Sequence, residues 1–473
     1  MVVEVPHPTI ARDHCLAPAR RVEGSARSVD APSEGMGSKY GRLFPRVALF
    51  TADEEFLLRL GGSQGPCDGG LFADDGNDDA GVAAGWPLFG QFVAHDITAD
   101  RSLLLQRADA DQIANFRTPR ANLECLYGDG PVGNPFLYDR GDPARLLIGT
   151  NDQGAPGDLP RNAQGIALVG DPRNDVHLFV SQFHLAMLKI HNLLVDRLRA
   201  DGEPEAELFD AARRATTWHY QWIIVNDFLP TLVGQTLMDE LLAEGPRWYR
   251  PEGPTYIPLE FADAAYRYGH SQIRRSYRLQ AGGPELPLFP DLLGFRRVPA
   301  DRRVDWAQLF QFPGRPSPQP SKKIDGRLAR SLIELPMAIT GEVEVEAYHS
   351  LAVRDLQRGQ AYGLPSGEAL SRALGIEPLG ADEIGLGDLG WAGETPLWYY
   401  LLKEAEIRSG GDRLGPLGGR IVAEVLLGII ERDPESYRAV QPDWRPTLPA
   451  AQPRLFDMGD LLTAAEPADV KPR

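Results

Sequence analysis

Residues 85–98 read GWPLFGQFVAHDIT, and at 100° per residue Leu88, Gln91, Phe92 and His95 fall on one face while Asp96 points well away from it. The spacing predicts a helix from about Trp86 that carries two polar groups on an apolar stripe. A Gly- and Asp-rich, turn-forming stretch over 62–84 leads into it. Gln91 and His95 lie four apart, so both reach one cavity, where a neutral imidazole takes a proton and an amide orients a small polar ligand. A buried histidine with a hydrogen-bond partner fits the same residues.

The helical period recurs along the chain. Phe179, Phe183, Met187, Ile190, Leu194 and Leu198 predict a long helix from His177 to Arg199, and 209–234, 260–275 and 418–433 also read as helices. Period-two alternation is short and sparse, as in GEVEVEAY over 341–348. The expected fold class is mainly α: a single large helical domain over 41–449, with long loops such as 280–330 and little β structure. An N-terminal arm, 1–40, and a C-terminal tail, 450–473, read as draped over that core or frayed.

Composition narrows the function. The chain has 473 residues, 43% of them hydrophobic, which is ordinary for a folded protein, and a formal net charge of -17, which repels nucleic acid and anionic membrane surfaces. Three cysteines without C-x-x-C spacing support neither a disulfide framework nor a thiolate zinc site, and point to a reducing compartment. No apolar run reaches the roughly 18 residues of a membrane helix, and the first residues do not read as a signal peptide, so the expected location is cytoplasmic.

Among nine histidines, His270 stands out beside His95, because it follows Gly269 inside a helical pattern. A helical glycine costs about 1 kcal/mol relative to alanine and is retained where something bulky nears the backbone, whether a flat macrocycle or a packed helix. Arg173 follows Asp171 and Pro172, where a stiff turn aims a guanidinium, either at developing negative charge or into a helix-start salt bridge. His184 and His191 read as packing or hydrogen-bonding residues.

FGQFVAHD, RTPRANLECLYG, GDPRND, AYRYGHSQIR, LQRGQAYGLPSG and the stretch 395–426 occur in an order that resembles the animal-type haem peroxidases of the peroxidase-cyclooxygenase superfamily, and the chain looks like one of the bacterial members. The resemblance runs from about Lys39 to Glu431. It implies His95 as distal histidine, Gln91 as distal glutamine, Arg173 as distal arginine and His270 as the proximal ligand of the haem iron. Arg267 and Arg358 match arginines directed at the haem propionates. Asp355 stands where the family commonly has an asparagine bonded to the proximal imidazole. Asp96, Thr118, the Arg120 carbonyl, Asn122 and Glu124 match a calcium site, although Asn122 takes a usual aspartate position and removes a charge. Ala94 and Val176 hold the positions from which mammalian members form haem esters, so the implied haem b is non-covalent.

The implied activity is a peroxidase that reduces hydrogen peroxide and oxidises a small organic donor, phenols included, or a halide donor, with peroxide removal under oxidative stress among its roles. The oxygenase branch places its radical tyrosine three residues before the proximal histidine, where this chain has Arg267; that disfavours fatty-acid oxygenation. A non-catalytic haem-binding protein is a further reading, and a His-Asp metal phosphohydrolase, built on His95 and Asp96, a weaker one, since it needs several more ligands.

Overall fold

Helix Gly85–Ile97 is buried nearly all round: Leu88, Phe89, Phe92, Val93, His95, Asp96 and Ile97 are all inside, so Asp96 is as enclosed as the stripe it points away from. Aromatic edges lock the helix in place. Phe89 and Phe92 meet Phe183 at 5.5 and 4.9 Å, and Phe89 meets Phe228 at 5.2 Å. Edge-to-face pairs of this kind add about 0.5–1.5 kcal/mol each beyond the area they bury. The structure, a computed structural model, describes residues 9–10, 19–20, 38–70, 78–452 and 455–466. The expected arm over 1–40 therefore lies largely outside the described residues, as do 71–77 of the turn-rich stretch.

Phe183 belongs to helix Leu178–Ala200, which His177 caps by accepting the Val180 N–H on Nδ1. This helix is long and apolar enough to cross a membrane by composition, but 89% of its most apolar window is buried inside the protein, as befits a core helix. Phe228 closes a π-helical turn, Ile224–Phe228, that joins helix Leu208–Ile223 to helix Leu229–Val233, so the predicted 209–234 helix is one rod with a bulge. Helices Leu351–Ala361, Leu397–Ser409 and Pro416–Glu431 complete the framework. At Gly428 an added Cβ would lie 2.5 Å from the Tyr249 ring, so only glycine allows that approach.

β structure is limited to small patches, the largest a three-stranded sheet of Ala114–Asn115, Ser38–Gly41 and Ile257–Pro258. Two predicted elements change. GEVEVEAY forms no strand; alternation without a partner edge does not make one, and its end coils into a 3-10 turn, Glu346–His349. The predicted 260–275 helix is one α turn, Leu259–Ala262, then a 3-10 turn, Ala265–His270, broken at Ala264. Tertiary bonds override local propensity there: Glu260 accepts the Leu43 and Phe44 N–H groups, and Arg267 Nε donates to the Ala262 carbonyl.

The described part of the C-terminal tail is fastened down. Helix Met458–Ala464 buries Leu461 and Leu462, Asp227 accepts the Met458 N–H, and His219 Nε2 accepts the Thr447 and Leu448 N–H groups while its Nδ1–H donates to the Ala215 carbonyl. This bonding needs a neutral ring, and burial pushes the His219 pKa down to about 4. Its contribution to stability is present above the unfolded value of about 6.5 and is lost as pH falls toward the folded one. In denaturant titrations between those limits, His219→Gln should flatten the acid loss by up to about 1.4 kcal/mol per pH unit; an unchanged slope would contradict the assignment.

Candidate active site

Helix Gly85–Ile97, the 3-10 turn Pro172–Asp175 and the 3-10 turn Ala265–His270 border one cavity. Gln91, Ala94 and His95 face it from the first, Arg173 from the second, and Arg267, Gly269 and His270 from the third. Leu288, Phe289, Leu332, Leu335 and Ile339 form an apolar wall. Residues far apart in sequence thus meet because three short elements converge.

His95 Nδ1–H donates to Asn174 Oδ1 at 2.8 Å, and Asn174 Nδ2–H donates to His184 Nδ1 at 3.0 Å. Gln91 is held in turn by His177, whose Nε2–H donates to Gln91 Oε1 at 2.6 Å. Burial pushes His177 down to about 4 and His184 to about 3, so both are neutral imidazoles. Three of these partners, Asn174, His177 and His184, were not read from sequence as part of a site. Adjacency of Asn174 to Arg173 was the signal available for the first; nothing local marks the two histidines.

Both readings of Arg173 apply at once. Its Nε and NH2 donate to the two Asp171 oxygens at 3.0 and 2.8 Å, its NH2 also reaches the His95 and Thr98 carbonyls, and it lines the cavity. Asp171 caps its own turn by accepting the Arg173 backbone N–H, and it binds Arg117 Nε and NH2 at 2.9 and 2.7 Å. Burial alone would raise the Asp171 carboxyl, but Arg173 and then Arg117 outweigh it and hold the group well below the usual carboxylate range.

On the other border, His270 Nδ1–H donates to Asp355 Oδ2 at 2.6 Å. Arg267, one 3-10 turn before His270, places NH1 2.8 Å from Asp355 Oδ1 and NH2 2.6 Å from Asp263 Oδ1. Arg267 thus lines the cavity with its guanidinium committed to two carboxylates. Arg358 departs further from its expected position. It is fully buried and is not among the cavity-lining residues; its NH1 donates to the Leu103 carbonyl and the Tyr362 hydroxyl, and its NH2 to the Ser102 carbonyl. One turn beyond Asp355 on the same helix, it is carried to the 102–103 loop.

The residues matched to calcium bind internal donors. Asp96 accepts the Leu123 and Cys125 N–H groups, and burial raises its carboxyl to about 7. Glu124 pairs with Arg117 at 3.0 Å and accepts the Thr118 N–H and hydroxyl, and Asn122 donates to Thr118. Among the described residues no group of three or more His, Cys, Asp or Glu side chains is arranged to hold a metal ion. Asp96, Thr118 and Glu124 are engaged with internal partners in this arrangement, and the His-Asp phosphohydrolase reading finds no ligand set among the described residues.

A haem fits better. A Cβ added to Gly269 would meet nothing within 4 Å, so close protein packing is not what this glycine serves; the space beside it opens on the cavity. The buried Tyr266 hydroxyl, also lining the cavity, has no hydrogen-bond partner among the described residues. Within the same border His270 is an imidazole already oriented through Nδ1, the usual condition of a metal-binding histidine.

Comparison with known proteins agrees with this fit. A family model described as animal haem peroxidase matches residues 139–379, just over half the chain. The chorion peroxidase of Aedes aegypti is 23% identical over 303 residues, 62% of this chain and 37% of that protein. Heme peroxidase 2 of Caenorhabditis elegans is 30% identical over 123 residues, 24% of this chain and 17% of that one. The matched region thus spans well under half the length of these curated relatives. Among solved structures, peroxidase A from Dictyostelium discoideum superposes with a TM-score of 0.63 at 16% identity, covering 87% of this chain and 91% of that one. The Oryza sativa fatty acid alpha-dioxygenase gives 0.59 at 16%, covering 82% and 74%. At such identities the structures speak for the fold alone.

Removing Asp171 strands two buried guanidiniums. Asp171→Ala should lower unfolding free energy in denaturant titrations by about 3–5 kcal/mol, the cost of breaking a buried ion pair from one side. A loss below about 1 kcal/mol would show that the two arginines find other partners.

Proposed function

This chain belongs to the animal haem peroxidase family, and we propose on that footing that it is a haem-dependent peroxidase that reduces hydrogen peroxide and oxidises a small organic donor. The observation that carries the proposal is the meeting of His95, Gln91, Arg173 and His270 around one cavity. Mere haem storage needs only the last of them. Haem, when bound, supplies the iron at which the O–O bond is cleaved and to which the donor returns electrons one at a time.

In this reading His95 takes a proton from peroxide on Nε2 and returns it to the departing oxygen. Arg173, fixed by Asp171, stabilises the negative charge that develops, and Gln91, fixed by His177, orients peroxide or water. His270 would hold the iron. Asp355 draws its Nδ1 proton and pushes the ring toward imidazolate, and Arg267 on the same carboxylate tempers that push. Ala94 and Val176 line the cavity with side chains that form no ester, which supports non-covalent haem b and places halide oxidation behind organic donors. Peroxide removal under oxidative stress is a biological role that fits.

A fatty-acid oxygenase is the second reading, favoured by the apolar wall from Leu288 to Ile339. Against it, Arg267 holds the position three before His270. Burial also raises the Tyr266 phenol far above its usual pKa and leaves it without a proton acceptor.

The test is an absorption spectrum of the haem-loaded protein before and after one equivalent of peroxide. A rapid change is expected, slowed about 10²–10⁴-fold in His95→Ala with haem retained. His270→Ala should lose haem, and acidified organic solvent should extract haem from the parent protein. Absence of the change would leave a haem-binding protein, and oxygen uptake with a long-chain fatty acid in place of peroxide would favour the oxygenase.

The 117–124 loop reads as closed by Arg117 in place of a calcium ion, since the Arg117 guanidinium already pairs with Glu124. Melting temperatures in excess calcium and in excess chelator should then agree within about 2 °C. A rise of several degrees with calcium would restore the ion to the loop.

A further inference from the structure

Asn174 is fully buried between two imidazoles, one of them the proposed proton acceptor. We propose that Asn174 is a positioning residue for His95: its amide, donating to His184 and accepting from His95, holds the His95 ring in the tautomer with its proton on Nδ1 and its lone pair on Nε2. This inference rests on the peroxidase reading above and adds a second layer to it.

The amide has two orientations with opposite consequences. With Oδ1 toward His95, the ring must carry its hydrogen on Nδ1, and Nε2 is the basic atom. Turned over, the amide would offer an N–H to Nδ1, move the ring proton to Nε2 and leave a ring unable to accept one from peroxide. The structure holds the first orientation: the Asn174 Nδ2–H donates to His184 Nδ1, which accepts it as the Nε2–H tautomer. Its burial keeps it an uncharged acceptor.

The surroundings keep the amide from swinging. Asn174 sits in a turn clamped from both sides: Asp171 before it binds Arg117 and Arg173, and Asp175 after it binds both terminal nitrogens of Arg161 at 2.6 and 2.7 Å. His184 is carried by the long core helix and packs edge-on to Phe92, 6.2 Å between centroids, on the same helix as His95. The relay therefore ties three rigid elements at one point, and a tautomer set this way needs no rearrangement when peroxide arrives. A wrong tautomer at a catalytic histidine costs up to about 10⁴-fold in rate.

The test is the second-order rate constant for peroxide, by stopped flow on the haem-loaded protein, alongside the association rate of cyanide, a weak acid whose proton needs the same acceptor. Asn174→Leu should slow both about 10–100-fold, with haem content and the later oxidation of donor unchanged. Asn174→Asp keeps an acceptor facing His95 Nδ1 and should stay within about threefold of the parent protein, whereas His184→Phe, which removes what orients the amide, should fall between the two.

Parent rates in Asn174→Leu, with His95→Ala slow, would overturn the inference and leave the peroxidase reading standing. Equal slowing in the Leu and Asp variants would overturn it too, since a merely structural role predicts that pattern. Parent rates in His95→Ala would instead remove His95 as the base. Should Asn174→Leu not fold, Asn174→Asp against His184→Phe carries the same comparison: the Asp variant must be the faster.

Discussion

One buried carboxylate, Asp171, gathers the arrangement on which the site depends. Two guanidiniums from separate segments, Arg117 and Arg173, converge on it, and Arg173 goes on to the carbonyls that end helix Gly85–Ile97. Desolvating a carboxylate is expensive, and a single partner rarely offsets the cost; two guanidiniums do, Arg173 bidentate across both oxygens and Arg117 with two nitrogens on Oδ2. The consequence is positional. Loop 117–124, the turn at 172–175 and the end of the helix bearing His95 cannot move independently, so the spacing between His95 and Arg173 is set by an ion pair in the interior.

The opposite border follows the same logic with different chemistry. Asp355 is fully buried and shared between His270 and Arg267, while Arg267 also holds Asp263. A carboxylate facing only an imidazole would draw its proton strongly; one that also faces a guanidinium is a weaker acceptor, so the pull on His270 is set by how the charge is divided. The 3-10 geometry makes the division possible, because residues three apart share an edge and Arg267 and His270 reach the same carboxylate together.

Much of this was legible in the sequence, and the limits of legibility are physical. Helix periodicity located 85–97 and 178–200 because long apolar stripes leave a strong signal. Gln91 and His95 were readable from their i, i+4 spacing, and Gly269 from being out of place in a helix. The break at Ala264 and the 3-10 turn after it were not readable, since they are dictated by bonds to residues 43 and 44, far along the chain. Arg358 was misplaced for a related reason: family position fixes which helix carries a side chain, while the local loop decides what it faces. Asn174, His177 and His184 escaped because an orienting residue leaves no periodic trace. Its role exists only once three elements have met.

The two borders differ in kind, and the difference follows from what each has to do. Around His95 and Gln91 the groups that bond the two side chains are neutral, an amide and two imidazoles kept uncharged by burial. Around His270 the supports are ions locked in pairs, which fixes the carboxylate that orients its ring. Arg173 is the one cation brought to the neutral border, and Asp171 ties it down so that its field points the same way at every moment. Preorganised charge of this sort favours the state in which negative charge has developed, because no dipole has to turn when it appears. A cavity with mobile ions on both borders would lose that advantage to reorganisation. The ion pairs that hold the fold here also hold the electrostatics still.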